Sequence, residues 1–368
     1  MKAPLPITLA PPRRILVRGV NWLGDAVMTT PALLRLRACF PKTHLTLFCP
    51  EKIKDLWLNH PAIDETLTFE SGEGLFSIGR KLRAGRFDRA LVLPNSPRSA
   101  LEVFLARIPV RIGYARPWRN FFLTQTVPAR VEAVKMHKRT EAEIRTLIAN
   151  PPRARPPHPA RAHQIHEYLQ LAAFFGADPA PLAPLLTVTP AEIEAAKKKF
   201  GLEKDSRPVF GLNPGAEYGP AKRWPVEKFI ATAKEVQAKT NCLWLIFGGK
   251  NDAAAAAQIG QEISHQNLAG QTSLRELMAL LKLCRVLLTN DTGPMHVAAA
   301  LGTPVVVPFG STSPELTGPV SAGGLNHEII QLDAPCSPCF LRECPIDFRC
   351  LNGISSERVA DAVLQAVR

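Results

Sequence analysis

Residues 287–310 read LLTNDTGPMHVAAALGTPVVVPFG. An apolar run ends in the polar turn TNDTGPMH, an alanine-rich helical pattern follows, and TPVVVPFG closes with a β-branched run. Strand, turn, helix and strand in so short a stretch make a parallel α/β unit, because a parallel neighbour needs a crossover and a helix is its usual form. The turn is where a ligand is expected. Its Thr292 and Gly293 N–H groups head the helix with the dipole behind them, which suits an anion such as phosphate, and glycine lets that anion approach the backbone. Asp291 is ill suited to phosphate and better placed for neighbouring N–H groups or sugar hydroxyls. The plainer reading makes Asp291 or Thr292 a helix cap and His296 a packed core histidine, and both readings can hold together.

The same alternation extends backwards through PVFGLNPG, a helix from about Val226, LWLIFGG, a helix from Asp252 to Ile263, NLAG and LRELMALLKLC. This predicts a doubly wound domain, whose ligands bind outside the carboxyl ends of the strands. A second turn, NPGAEYGPAKRWP (213–225), also follows a strand. Its small residues permit close approach and Lys222 supplies mobile positive charge, a combination suited to a diphosphate, while a solvated Lys222–Arg223 pair is the bland alternative. Asp252, after the strand ending in FGG, is a candidate contact for ribose hydroxyls. No G-x-G-x-x-G sits at a strand-to-helix turn, which argues against a dehydrogenase.

The first half opens similarly. ILVRG (15–19) reads as a strand, NWLGD as a turn and Ala26 to Ala38 as a helix, with further strands at HLTLFCP (44–50), RALVLPN (89–95) and RIGY (111–114). Gly19 and Gly24 have P-loop spacing, but Asp25 stands where that loop needs its lysine and would repel a triphosphate. Asp25 is instead a candidate to take a proton from a hydroxyl nucleophile, or a plain N-cap. The stretch 149–162 is rich in proline and arginine and reads as an exposed loop within the first half. Thr189 as N-cap, Pro190 at the first helical position and Glu192 completing a capping box place the boundary near 187, giving domains 1–186 and 187–368.

Composition narrows the function. Over 368 residues with 46% hydrophobic and 21% charged content, two globular cores are expected. No run of about 18 apolar residues occurs and the basic pair of the N-terminus follows a proline-broken stretch, so a cytoplasmic location is expected. A net charge of +13 favours an anionic partner. Nucleic acid is the weakest of these, since no zinc finger or RRM signature appears and the aromatics do not interleave with a basic stripe. Cys336, Cys339, Cys344 and Cys350 lie in PCSPCFLRECPIDFRC. Reduced thiols are the preferred reading; a structural metal staple and a disulfide stay open.

Taken in order, VRGVNWLGDAVMTTPAL, NPGAEYGPAKRWP and TNDTGPMHVAAALGTPVV resemble the family 9 glycosyltransferases, the ADP-heptose:lipopolysaccharide heptosyltransferases, and NWLGD with GAEYGPAKRWP is most similar to the heptosyltransferase II branch. The resemblance runs from about residue 14 to the C-terminus. It implies a GT-B fold: two Rossmann-like domains facing across a cleft, the first binding acceptor and the second the nucleotide sugar, with the last helix crossing back. It implies Asp25 as catalytic base and Lys222 as the phosphate-binding lysine. Asp252, Thr272, Asp291, Thr292, Gly293 and His296 are the other donor-side residues, and Asn21, Trp22 and Gly24 the acceptor side. No catalytic cofactor is implied. The partners implied are ADP-heptose, a lipopolysaccharide inner-core glycolipid and the anionic inner membrane at its cytoplasmic face, which Arg98, Arg111, Arg116, Arg119, Lys135 and Lys138 would meet. The rivals are a GT-B enzyme with another donor or acceptor, an epimerase, or a basic nonenzymatic nucleotide- or RNA-binding module.

Overall fold

The computed structural model describes residues 12–152, 158–320 and 327–368. They form two compact units, the first built from residues up to 133 with 161–187, the second from 134–160 with 188–368.

In the first unit the strands are β1 (Arg14–Arg18), β2 (His44–Pro50), β3 (Glu65–Phe69), β4 (Arg89–Val92), β5 (Val110–Tyr114) and β6 (Gln125–Val127). All pair in parallel, in the order β3-β2-β1-β4-β5-β6. The second unit repeats the plan with β7 (Val209–Asn213), β8 (Leu243–Ile246), β9 (His265–Asn267), β10 (Leu287–Thr289), β11 (Val305–Phe309) and β12 (Glu328–Gln331), again parallel, in the order β12-β11-β10-β7-β8-β9. Central strands covered on both faces carry near-continuous apolar runs, and β4, β8, β10 and β11 are buried throughout. The edge strands β3, β6, β9 and β12 carry more polar residues, which is why only the inner eight announce themselves by hydropathy.

In such a sheet the chain reverses direction at one place, and the crevice beyond the carboxyl ends there is the ligand site. That place lies between β1 and β4 in the first unit and between β7 and β10 in the second. Asp25 lies beyond β1, and the turns 213–225 and 290–293 lie beyond β7 and β10.

The compact units divide the chain otherwise than at a single boundary near 187. Residues 134–160 belong to the second unit: Ile144, on the helix Glu141–Ala149, is 1% exposed within its core, and Arg139 donates to the Cys336 and Cys339 carbonyls at 2.9 and 3.0 Å. The loop at 149–162 therefore begins in the second unit, with residues 153–157 lying outside the described residues. The last helix, Ser356–Ala366, packs on the helix Val226–Thr240 and on β11 and β12 of its own unit.

The helix Pro190–Lys199 has the capping box expected of it, and its Glu192 also receives a forked Arg275 guanidinium at 2.7 Å on each oxygen. The hydrogen bonds from Arg275, then those from Thr189, outweigh burial and lower the Glu192 pKa to about 2. A carboxylate depressed in the folded state stabilises it above its unfolded pKa and loses that contribution as pH falls. The stability difference between wild type and Glu192→Gln should therefore shrink as pH drops from about 4.5 to about 2. Urea unfolding at several pH values measures it, and a pH-independent difference would remove the ion pair as its source.

Candidate functional site

In the second unit two turns distant in sequence are fastened by one side chain. Asn290, 0% exposed, accepts the Trp224 N–H at 3.0 Å and donates to the Pro214 carbonyl at 2.7 Å. Asn213 donates to the Thr289 hydroxyl at 3.1 Å one layer below. Leaving such buried backbone groups unpaired costs about 1–3 kcal/mol each, so Asn290 holds the two turns in register. Trp224, buried edge-on against Phe229 with centroids 5.0 Å apart, anchors the end of the first turn.

This clamp sets Lys222 beside Asp291. The ammonium meets the carboxylate at 2.6 Å, with side chains 14% and 5% exposed, and the Thr312 hydroxyl donates to the same carboxylate oxygen at 2.6 Å. Asp291 is thus engaged by a lysine and a threonine instead of the neighbouring N–H groups first expected. Lys222 also lies 4.9 Å above the Tyr218 ring, whose hydroxyl donates to the Phe340 carbonyl at 2.7 Å. Gly219 adopts φ +147° where an added Cβ would stand 2.5 Å from the Arg342 carbonyl oxygen, so glycine is required for this turn to close.

Thr292, Gly293 and Pro294 are half-buried at the start of the helix Gly293–Ala300, with Thr292 extended as its N-cap and making no side-chain cap bond. Pro294 carries no N–H and the Met295 N–H meets the Thr292 carbonyl at 3.1 Å, so at this helix start the Thr292 and Gly293 N–H groups are those facing a ligand. His296 is buried on that helix, at 6% exposure, in keeping with a packed histidine. Asp252 accepts the Gly249 N–H at 2.9 Å, has the Arg223 guanidinium 3.8 Å away, and packs against Gly215. It therefore shares the strand ends with Lys222. Thr272 sits farther out, half-buried beyond β9, in a segment tied by Gly270 N–H to the Gly248 carbonyl at 2.9 Å.

In the first unit Asp25 is the third residue of the helix Leu23–Cys39, so it is not the N-cap; Trp22 is. A first-turn carboxylate suits the positive end of the helix dipole. The Gln164 amide donates to Asp25 Oδ1 at 3.1 Å and to the Tyr168 hydroxyl at 2.8 Å. Tyr168 is 5% exposed, and burial, then the charge of Asp25, push its pKa far up, so it stays a neutral phenol. A neutral amide orients Asp25 without neutralising it. The turn itself is shaped by Arg18, which meets Glu102 at 2.7 Å with exposures of 3% and 0%, and donates to Asn21 Oδ1 at 3.0 Å. Asn21 and Trp22 are exposed and Gly24 half-buried, with Lys52 5.0 Å above the Trp22 ring.

Sequence reasoning missed Asn290, Thr312, Gln164 and Arg18, since nothing in a lone amide, hydroxyl or strand-end arginine marks it as a clamp. One of the six basic residues named above is not at the surface. Arg119 is fully buried, donates to Asn95 at 3.2 Å, and burial lowers its pKa to about 10. Arg111 donates to the Phe122 and Ile108 carbonyls, Arg98 to Glu102 and the Glu73 carbonyl, and Arg116 to the Ala115 carbonyl. Lys135 and Lys138 are exposed in the second unit. Among the described residues no helix is long and apolar enough to cross a membrane.

The family model described as glycosyltransferase family 9 (heptosyltransferase) matches residues 75–150 and 141–348. The chain is 33% identical over 326 residues to lipopolysaccharide heptosyltransferase 2 of Escherichia coli K12, covering 84% of this chain and 86% of that one. It is 32% identical over 329 residues to lipooligosaccharide heptosyltransferase 2 of Haemophilus influenzae, covering 83% and 86%. The solved structure of E. coli ADP-heptose lps heptosyltransferase II superposes with a TM-score of 0.76 at 30% identity, over 96% of this chain and 98% of that one. A family 9 glycosyltransferase from Veillonella parvula shares the fold at a TM-score of 0.77 and 23% identity, over 96% and 97%.

Proposed function

Since this chain belongs to glycosyltransferase family 9 (heptosyltransferase), we propose that it transfers L-glycero-D-manno-heptose from ADP-heptose, with inversion, to heptosyl-Kdo2-lipid A of the lipopolysaccharide inner core. The observation that carries the donor side is the convergence of Lys222, Asp291 and the helix start at Thr292–Gly293 where the second sheet reverses.

An acceptor hydroxyl oxygen forms a bond to the anomeric carbon as the bond to the diphosphate breaks, and Asp25 takes the hydroxyl proton. ADP leaves with growing negative charge. Lys222 and the N–H groups of Thr292 and Gly293 are preorganised to meet it, and such fixed donors cost no rearrangement when the charge develops. Asp252 and Thr272 belong on the ribose and adenine side.

ADP release from ADP-heptose, with Kdo2-lipid A and separately with its mono-heptosylated form, tests the reading. Release only with the heptosylated form is the expected result; release with Kdo2-lipid A alone would make it the enzyme of the preceding transfer, and release with neither would refute both the donor and the acceptor.

A glycolipid acceptor requires work at a membrane surface, here the cytoplasmic face of the inner membrane. One face of the first unit is fitted for it: Phe76 and Phe121 are 80% and 81% exposed, Phe104 is 6.2 Å from Phe121, and Arg80, Arg83 and Arg107 line the groove between Phe76 and Phe104. Aromatic insertion beside arginines suits anionic headgroups. The double variant Phe76→Ser, Phe121→Ser should lower binding to phosphatidylglycerol-containing vesicles by about tenfold or more, given about 1.5–3 kcal/mol per buried phenylalanine. Unchanged co-sedimentation would move the lipid contact elsewhere.

A further inference from the structure

Both cations of the turn 213–225 are engaged by carboxylates: Lys222 meets Asp291 at 2.6 Å, and Arg223 stands 3.8 Å from Asp252. Neither pair carries net charge, whereas a departing diphosphate gains negative charge that the site must meet. A third cation stands beside them without such a partner. Arg342 is exposed, and among the described residues its guanidinium makes no ion pair and no hydrogen bond. Its Cζ lies 5.3 Å from the centroid of the Tyr218 ring, the same ring that has the Lys222 ammonium 4.9 Å away. The residue is fixed at its root. Its carbonyl accepts the Ala221 N–H at 3.0 Å, and a Cβ added to Gly219 would stand 3.2 Å from Arg342 Cβ, so the two stretches of chain touch. Tyr218 is tied in turn by its hydroxyl to the Phe340 carbonyl at 2.7 Å. A long side chain rooted next to Lys222 and laid on an aromatic face keeps its charged end in one region, with no carboxylate to cancel it.

We propose that Arg342 binds the diphosphate of the nucleotide sugar and supplies the net positive charge that the Lys222–Asp291 pair lacks, with Tyr218 as the platform that holds it. The inference rests on the donor assignment under the proposed function. A guanidinium offers two parallel N–H groups to two oxygens of one phosphate, so Arg342 would grip the diphosphate as a fork where Lys222 acts as a point of charge. In the transfer, the bond from the anomeric carbon to the phosphate oxygen breaks as the acceptor oxygen bonds that carbon, and its electron pair goes to the leaving phosphate. Arg342 meets that charge and exchanges no proton. The sequence gives the arginine no mark, because it lies more than a hundred residues from the turn it serves and is separated from it by four strands.

Calorimetric titration of the full chain with ADP and with adenosine, on wild type, Arg342→Gln and Arg342→Lys, tests the role. Arg342→Gln should weaken ADP binding by about tenfold or more, as loss of a hydrogen-bonded charge does, while adenosine binding and Tm stay at their wild-type values. Arg342→Lys, which keeps the charge and loses the fork, should recover part of the ADP affinity. With ADP-heptose, Arg342→Gln should lower kcat/KM by at least the factor lost in ADP affinity. An ADP affinity equal to wild type, or an equal loss for ADP and adenosine, overturns the role of Arg342 and leaves the donor assignment standing. Wild-type protein that binds no ADP overturns both together.

Discussion

Asp25→Asn is expected to lower kcat by about 10²–10⁴, the range that one positioned general base contributes, while ADP binding and Tm stay near wild type. The variant keeps the size of the side chain and its ability to accept from Gln164, whose amide bonds Asp25 Oδ1 at 3.1 Å, and removes the negative charge together with the capacity to take a proton. Gln164→Glu is the companion variant. It puts a second carboxylate beside Asp25 and removes the donor, so transfer should fall while ADP affinity holds. Steady-state rates with calorimetric ADP titration decide the matter, and near-normal turnover by Asp25→Asn would take the base role away from it.

The second large effect is at Lys222. Lys222→Ala should reduce kcat/KM by about 10²–10³, as loss of one preorganised charge-stabilising donor does. The same change leaves Asp291, 5% exposed, without its ammonium, and breaking a buried ion pair costs about 3–5 kcal/mol. The two consequences separate in a double-mutant cycle. Adding Asp291→Asn to Lys222→Ala should recover much of the stability and none of the turnover. Recovery of both would show that Lys222 serves only to neutralise Asp291.

The inner strands were readable because a strand covered on both faces shows itself as an apolar run, as in LTLFC or LWLI. The short edge strands QTV and HQN gave no such signal. The donor turns were legible as turns, but their adjacency was not. It depends on β7 lying beside β10, a pairing between residues some 76 apart. Nor could sequence distinguish Arg119, buried against Asn95, from an arginine at the surface. The proline-rich stretch after Ala149 concealed the helix before it, whose Ile144 supplies a core the chain has not yet made at that point.

That last feature bears on how the protein is born and how it can be cut. The chain passes between its two units after residues 133, 160 and 187. On a ribosome the first unit has all its residues once Thr187 has emerged, whereas 134–160 must wait for the strands beginning at Val209 before Ile144 can be covered. A fragment ending at 187 carries that apolar excursion bare, and one starting at 188 lacks both Ile144 and the Arg139 ties to the cysteine loop. Chimaeras that exchange donor specificity between relatives therefore need three junctions, with 134–160 travelling with the C-terminal piece.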